Sequence, residues 1–352
     1  MFPSMRKIRV LVVDDSILAR QMIIGQFNAH PQIEVVGYAI NASDAKHKIR
    51  QLNPDVMTLD VEMPGMSGIE FLKELLPLHP LPVILVSSLN LRVFDALEAG
   101  AVDFVRKPGE GENREHFLTT LCQKVIVAST ARVRMPRASA HPAAAPVPAA
   151  GSWRASPPSA RQQQVIIGLG ASTGGTEATL AVLRQLPKDT PGIVVVQHMP
   201  AGFTKMYAER LNRLCQMEVR EAVSGDEIHP GLVLIAPAGV QTKVVRMRDR
   251  YTVACQPGEK VSGHCPSVDY LFHSMASSVK CRMVGIIMTG MGKDGAEGLL
   301  AMRKAGAFTI GQDQDSCVVY GMPMEAYKLG AVTVQASCEA IAGTLTSHLK
   351  KL

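Results

Sequence analysis

Two doubly wound, mainly parallel α/β sheets joined by a Pro/Ala-rich linker are the architecture that this sequence predicts. Three observations lead there. Short Val/Ile/Leu runs alternate with longer amphipathic stretches on both sides of the chain's middle, the pattern of parallel strands with crossover helices. The middle itself is dominated by Ala, Pro, Ser and Arg, with no apolar periodicity. The length of 352 residues suggests two domains at about 150 residues each, and a hydrophobic content of 47% is enough for two cores.

Upstream, strands are expected at Ile8–Val13, Glu34–Tyr38, Val56–Leu59, Val83–Val86 and Val102–Val105, with helical stretches between and after them. Five strands in this length fit a flavodoxin-like domain over residues 1–128. Residues 129–162 read as the linker, in which proline density favours extended backbone and the lone Trp153 reads as a solvated ring. Downstream, residues 163–352 suggest a second, Rossmann-like sheet with strands at Val165–Leu169, Ile193–Val196, Leu232–Ile235, Val284–Met288 and Phe308–Gly311. A hairpin over Lys243–Cys255 interrupts the alternation.

Charge excludes one class of partner. Residues 1–128 carry a net −2, residues 129–162 a net +5 and residues 163–352 a net +3, so most of the overall +6 lies in the linker. No helix-turn-helix, zinc finger or basic-aromatic pattern accompanies it, which argues against nucleic acid. No apolar run approaches the ~18 residues of a membrane span, so no membrane insertion is expected. Asp14 and Asp15 cut short the N-terminal apolar run, which a signal peptide would extend to about 7 to 15 residues; a cytoplasmic chain is expected. Seven cysteines without any Cys-x-x-Cys pair argue against both a disulfide framework and structural zinc.

Ligands of open α/β sheets bind beyond the C-terminal strand ends. Three acids fall there upstream: Asp14 and Asp15 after the first strand, and Asp60 after the third. Ser87 ends the fourth strand, and Lys107 followed by Pro108 ends the fifth. Clustered carboxylates suit a hard cation such as Mg²⁺, while a hydroxyl and an ammonium suit a phosphoryl group. Singly, each acid reads as a solvated loop residue or a helix cap. Together, in the run Leu59-Asp60-Val61-Glu62-Met63-Pro64-Gly65, they resemble the receiver domains of two-component response regulators. The resemblance implies that Asp60 accepts phosphate from a histidine kinase. It also implies that Asp14, Asp15, Asp60 and the Glu62 backbone carbonyl hold Mg²⁺. Ser87 and Lys107 would bind the phosphate, and Phe104 would be the mobile aromatic.

Downstream, Gly170-Ala171-Ser172-Thr173-Gly174-Gly175 leads from a strand into a helical stretch. Ser172 on such a turn sits beside the positive end of a helix dipole, where backbone N–H groups can stabilise an oxyanion. A serine needs a base and an orienting acid. His198 follows the strand Ile193–Val196, and Asp294 follows Val284–Met288 within Thr289-Gly290-Met291-Gly292-Lys293-Asp294-Gly295. The acid comes after the histidine, unlike the order in α/β-hydrolases, which excludes that superfamily and not the chemistry. Gly168-x-Gly170 also invites a dinucleotide-binding reading. Thr173 stands where its third glycine should be, and Gln197 and His198 end the next strand in place of a ribose-binding acid. Read alone, His198 could be a core histidine and Asp294 a helix cap.

The order of parts resembles the chemotaxis response-regulator protein-glutamate methylesterases, through Val12 to Ser16, Asp60 to Pro64, Gly170 to Glu177, Gln197 to Phe203 and Thr289 to Gly295. That resemblance implies a catalytic Ser172, His198 and Asp294, with an oxyanion hole near Thr173 and Met291. It implies demethylation of glutamate methyl esters, and deamidation of glutamines, on methyl-accepting chemotaxis receptors, with no cofactor for the esterase reaction. It further implies that the unphosphorylated receiver packs over the hydrolase site. Cys265 and Gln241 depart from the expected arginine and histidine, and are expected on loops shaping the substrate groove, where they bear on receptor preference.

Overall fold

The computed structural model describes residues 6–88, 92–109, 111–133 and 165–352; most of the linker, Trp153 included, lies outside them. The first sheet alternates strand and helix: β1 (Ile8–Val13), α1 (Ile17–Ala29), β2 (Ile33–Ala39), α2 (Ala42–Leu52), β3 (Val56–Asp60), α3 (Gly68–Leu75), β4 (Val83–Ser87), α4 (Arg92–Glu98), β5 (Asp103–Arg106) and α5 (Arg114–Ala128). Its five strands are parallel in the order β2-β1-β3-β4-β5, with β3 at the centre. Short polar side chains start the helices. Ser16, Asn41 and Asn113 each accept an N–H of the first turn, and Ser67 with Glu70 closes a reciprocal cap on α3.

The second sheet holds β6 (Val165–Ala171), β7 (Ile193–Gln197), β8 (Glu218–Glu221), β9 (Leu232–Ile235), β12 (Arg282–Ile287), β13 (Phe308–Gln312) and β14 (Val334–Ala336). Its order is β14-β13-β12-β6-β7-β9-β8, every pair parallel. A separate antiparallel hairpin, β10 (Gln241–Met247) and β11 (Arg250–Gln256), stands where the alternation breaks. Helices α6 (Gly175–Leu183), α7 (Phe203–Leu214), α8 (Val268–Ser278), α9 (Ala296–Lys304), α10 (Met322–Lys328) and α11 (Ile341–Leu349) complete it. Strands β6, β7 and β12 are almost wholly buried, which is why they read as continuous apolar runs. Every expected strand is present; of the observed strands, only β8 and β14, at opposite edges of the second sheet, are absent from the expected set. Glu218–Glu221 holds a single apolar residue and Val334–Ala336 is three residues long, so neither carries a hydrophobic signal.

One apolar cluster runs from the first sheet's helices into those of the second. The Phe94 ring lies 5.8 Å from Tyr207 and 6.4 Å from Phe203, and the Phe104 ring lies 4.6 Å from Phe203. All four are buried, and burying a phenylalanine contributes about 1.5–3 kcal/mol. Polar contacts rim this patch: Arg210 pairs with Glu98 at 3.2 Å, and the Arg132 guanidinium with Asp315 at 2.8 Å. No helix among the described residues is long and apolar enough to cross a membrane.

Candidate active site

Strand β6 lies between β7 and β12, where the strand order of the second sheet reverses direction, the place at which open α/β sheets bind ligands. The register aligns Ala171 with Gln197 and Gly170 with Ile287, so Ser172, His198 and the segment from Met288 leave the sheet side by side. Backbone bonds tie these exits together: the Ser172 N–H donates to the Thr289 carbonyl (3.0 Å), and the His198 N–H to the Ala171 carbonyl (3.1 Å). The turn then folds back through Gly174, whose φ of +76° disfavours any other residue, into α6. Gly290 has to be small as well, since a Cβ there would lie 2.7 Å from the Ser172 Cβ and would also meet the Met322 sulfur.

His198 and Asp294, 96 residues apart, meet at 2.8 Å through Nε2 and Oδ2. The carboxylate is buried, and both of its oxygens are used. Oδ1 accepts from the Ser267 hydroxyl (2.7 Å) and the Asp269 N–H (2.9 Å), and Oδ2 also accepts from the Val268 N–H (2.8 Å). These donors cap and open α8, so the acid lies at the positive end of a helix. Burial alone would raise its pKa, but the His198 bond and charge, the Asp269 N–H and the Ser267 hydroxyl outweigh it and hold the carboxyl below its ordinary range. An ionised Asp294 can only accept, so Nε2 carries the proton and Nδ1 is left with a free lone pair. Nδ1 is buried and has no partner. In this conformation the Ser172 hydroxyl forms no hydrogen bond to it.

The expected oxyanion donors lie beside the serine. The Thr289 hydroxyl reaches the Thr173 carbonyl (3.0 Å) and accepts from the Val319 N–H (3.0 Å), while the Gly290 N–H donates to the Val319 carbonyl (3.1 Å). These bonds leave the N–H groups of Thr173 and Met291 without an acceptor among the described residues. The Thr173 side chain is taken by the first sheet: its hydroxyl donates to Asp103 Oδ2 at 2.6 Å, and Lys124 holds the other carboxylate oxygen at 2.7 Å.

At the edge of the first sheet, Asp14, Asp15 and Asp60 bring carboxylate oxygens within 4.8 Å of one another, and the Lys107 ammonium lies 2.5 Å from Asp60 and 3.0 Å from Asp14. Burial raises the Asp60 carboxyl despite Lys107, and the two acids lift the Lys107 ammonium despite its burial. The Ser87 hydroxyl is buried without a partner, and Phe104 is buried against Phe203. Glu62 donates its N–H to Asp60 Oδ1 (3.1 Å). Three carboxylates of this spacing form a hard-oxygen set suited to Mg²⁺, and the orphaned hydroxyl beside an ammonium suits phosphoryl oxygens.

One expectation is corrected. Gln241 is not on a groove loop; it is buried at the start of β10. Its amide donates to the Glu259 (2.9 Å) and His264 (3.0 Å) carbonyls and accepts the Ser267 N–H (2.9 Å), because a buried carboxamide must satisfy its donors and its acceptor. Cys265 is half-buried, its sulfur 3.8 Å from the Gly258 carbonyl, and burial raises its thiol pKa. Sequence reasoning missed Ser267 as a support of Asp294, although Ser267-Val268-Asp269 before an apolar run is a helix-start signal. It missed His264 too, whose ring stacks on His198, and no local pattern announces that contact.

The profile of the CheB methylesterase family matches residues 167–345, and that of the response regulator receiver domain matches residues 10–117. The chain is 50% identical, over 99% of both chains, to protein-glutamate methylesterase/protein-glutamine glutaminase 2 of Syntrophomonas wolfei. It is 49% identical to the protein-glutamate methylesterase/protein-glutamine glutaminase of Syntrophotalea carbinolica, over 98% of this chain and 99% of that one. Among solved structures, the catalytic domain of the Thermotoga maritima CheB methylesterase covers 53% of this chain and 98% of its own, with 34% identity and a TM-score of 0.51.

Proposed function

This chain belongs to the CheB methylesterase family, and from that membership we propose a phosphorylation-regulated serine hydrolase that demethylates receptor glutamates and deamidates receptor glutamines. Residues 163–352 carry the hydrolase, residues 1–128 the phosphoacceptor, and residues 129–162 link them. The substrate is a methyl-accepting chemotaxis receptor, and the phosphodonor a chemotaxis histidine kinase. The observation that carries the reading is the unpartnered Nδ1 of an imidazole whose other nitrogen is bound to an ionised, fully hydrogen-bonded aspartate.

The Ser172 Oγ attacks the ester or amide carbonyl while Nδ1 of His198 takes its proton; hydrogen bonds of this kind tighten when substrate binds. The N–H groups of Thr173 and Met291 hold the oxyanion, and losing one such donor costs about 10²–10³ in rate. His198 gives the proton to the departing methoxide or amide group, which leaves as methanol or ammonia, and water, activated in the same way, then releases glutamate from the acyl-enzyme and restores Ser172. Asp294 stays charged throughout and stabilises the imidazolium. One chemistry serves both reactions because only the leaving group differs.

In the receiver, Asp60 is the phosphoryl acceptor. Asp14, Asp15, Asp60 and the Glu62 carbonyl would hold Mg²⁺, which would neutralise charge at the phosphoryl group. Lys107 and Ser87 take the phosphoryl oxygens. Phosphorylation would end the Asp60–Lys107 pair and draw Ser87 and Lys107 toward the new oxygens. Neighbouring β5 carries Asp103 against Thr173 and Phe104 against Phe203, so a shift there loosens the contact beside Ser172. Having both domains on one chain keeps that contact effective, since tethering makes it intramolecular, with an effective concentration on the order of mM.

The test is methanol release from methylated receptor membranes with and without a phosphodonor. The wild-type chain is expected to release methanol faster with the phosphodonor. Ser172→Ala is expected to lose at least about 10⁴-fold in rate while still binding receptor. A Ser172→Ala chain that keeps its esterase activity sinks the reading.

A further inference from the structure

Within the methylesterase reading, on which this inference rests, we propose that His264 is a positioning residue. Its ring holds the His198 imidazole in the plane that turns Nδ1 toward Ser172. The two rings lie face to face, with centroids 3.8 Å apart and planes 9° from parallel. The Cβ–Cγ bond and the Asp294 bond hold two points of the His198 ring, and an imidazole so held can still tilt about the line that joins them. A flat neighbour removes the remaining freedom.

The support for His264 is itself rigid. Its turn is closed by two bonds with Val261, N–H to carbonyl in both directions at 2.9 and 3.0 Å. The Gln241 amide grips the His264 carbonyl from below and reaches Ser267 with its oxygen. The Ser262 hydroxyl, in the same turn, donates to Asp269 at 2.7 Å. Ser267 and Asp269 are the residues that hold Asp294. The acid and the stacking ring are therefore mounted on one frame, and His198 is gripped by that frame from two directions.

The chemistry of the ring suits the task. Burial first, then the charge of His198, with Lys260 and the receiver's Lys124 in the same direction and Asp294 against, push the His264 pKa down to about 4. His264 therefore stays neutral when His198 takes the serine proton. A neutral aromatic face stabilises an adjacent cation, whereas a second imidazolium would repel it.

The experiment compares wild type, His264→Ala and His264→Phe as full-length chains with phosphodonor on methylated receptor membranes. His264→Ala is expected to lower kcat about tenfold with KM within about twofold, the scale of a cation against an aromatic face. His264→Phe keeps a flat face that cannot titrate, so it is expected to recover most of kcat and to share the wild-type acid limb. A His264→Ala chain with wild-type kcat, a His264→Phe chain no faster than His264→Ala, or a loss carried by KM overturns the proposal. A wild-type chain that releases no methanol overturns the methylesterase reading and this proposal with it; an active wild type beside an equally active His264→Ala overturns this proposal alone.

Discussion

The two sheets present their reactive groups at the same edge, yet they treat a buried aspartate in opposite ways. Asp294 receives two backbone N–H groups, a hydroxyl and an imidazole, and its carboxyl is held below the ordinary range. Asp60 has one backbone N–H and one ammonium, shares its crevice with Asp14, and its carboxyl is raised. The difference lies in the supply of donors. A carboxylate saturated with donors is a fixed anion that orients and stabilises a neighbour, and has no oxygen to spare for bond making. A carboxylate with few donors, in a site that can take up a cation, keeps a lone pair for the phosphoryl group.

Removing the donor match at Asp294 should have the largest effect. Asp294→Asn presents an amide where Oδ2 now accepts from His198 and from the Val268 N–H. The imidazole would lose its tautomer, and methanol release should fall about 10⁴-fold. An unsatisfied buried donor costs about 1–3 kcal/mol, so the urea midpoint should fall as well. A variant with near-wild-type kcat would break the contrast drawn between the two acids.

The next test acts on the other acid. Asp60→Asn removes the proposed phosphoryl acceptor, and the whole increment in methanol release that a phosphodonor produces should vanish. An Asp60→Asn chain still stimulated by phosphodonor would place the acceptor elsewhere.

The smallest effect should come at the contact that joins the two sites. Asp103→Asn weakens the hydrogen bond to Thr173 and the pairing with Lys124. A hydrogen bond to a charged group is worth about 1.5–3 kcal/mol, so the closed arrangement should give way and the rate without phosphodonor should rise about three- to tenfold. An unchanged basal rate would mean that the aromatic patch of Phe94, Phe104, Phe203 and Tyr207 closes the site without this bond.

Most strands were legible because buried parallel strands are continuous apolar runs, and β1 and β9 match their expected bounds residue for residue. Legibility failed at the sheet's margins, where β8 and β14 are only four and three residues long. It failed again at Gln241, whose role depends on what fills the space behind β10. The aromatic patch between the sheets was unreadable for a related reason: Phe94 and Phe203 look like ordinary core residues of their own helices.

What the amino-acid order determined by itself is the strand ends and the residues at them: Asp14, Asp15, Asp60, Ser87 and Lys107 on one edge, Ser172, His198 and Asp294 on the other. Parallel sheets gather such ends on one side, so local hydrophobic runs and turn chemistry suffice to bring them near one another. Only the tertiary structure decided which imidazole nitrogen is left without a partner, that the first turn of α8 supplies the donors of Asp294, that His264 lies against His198, and that Asp103 reaches Thr173. Each of those depends on side-chain orientation and on partners separated along the chain by tens of residues, and no short-range periodicity encodes either.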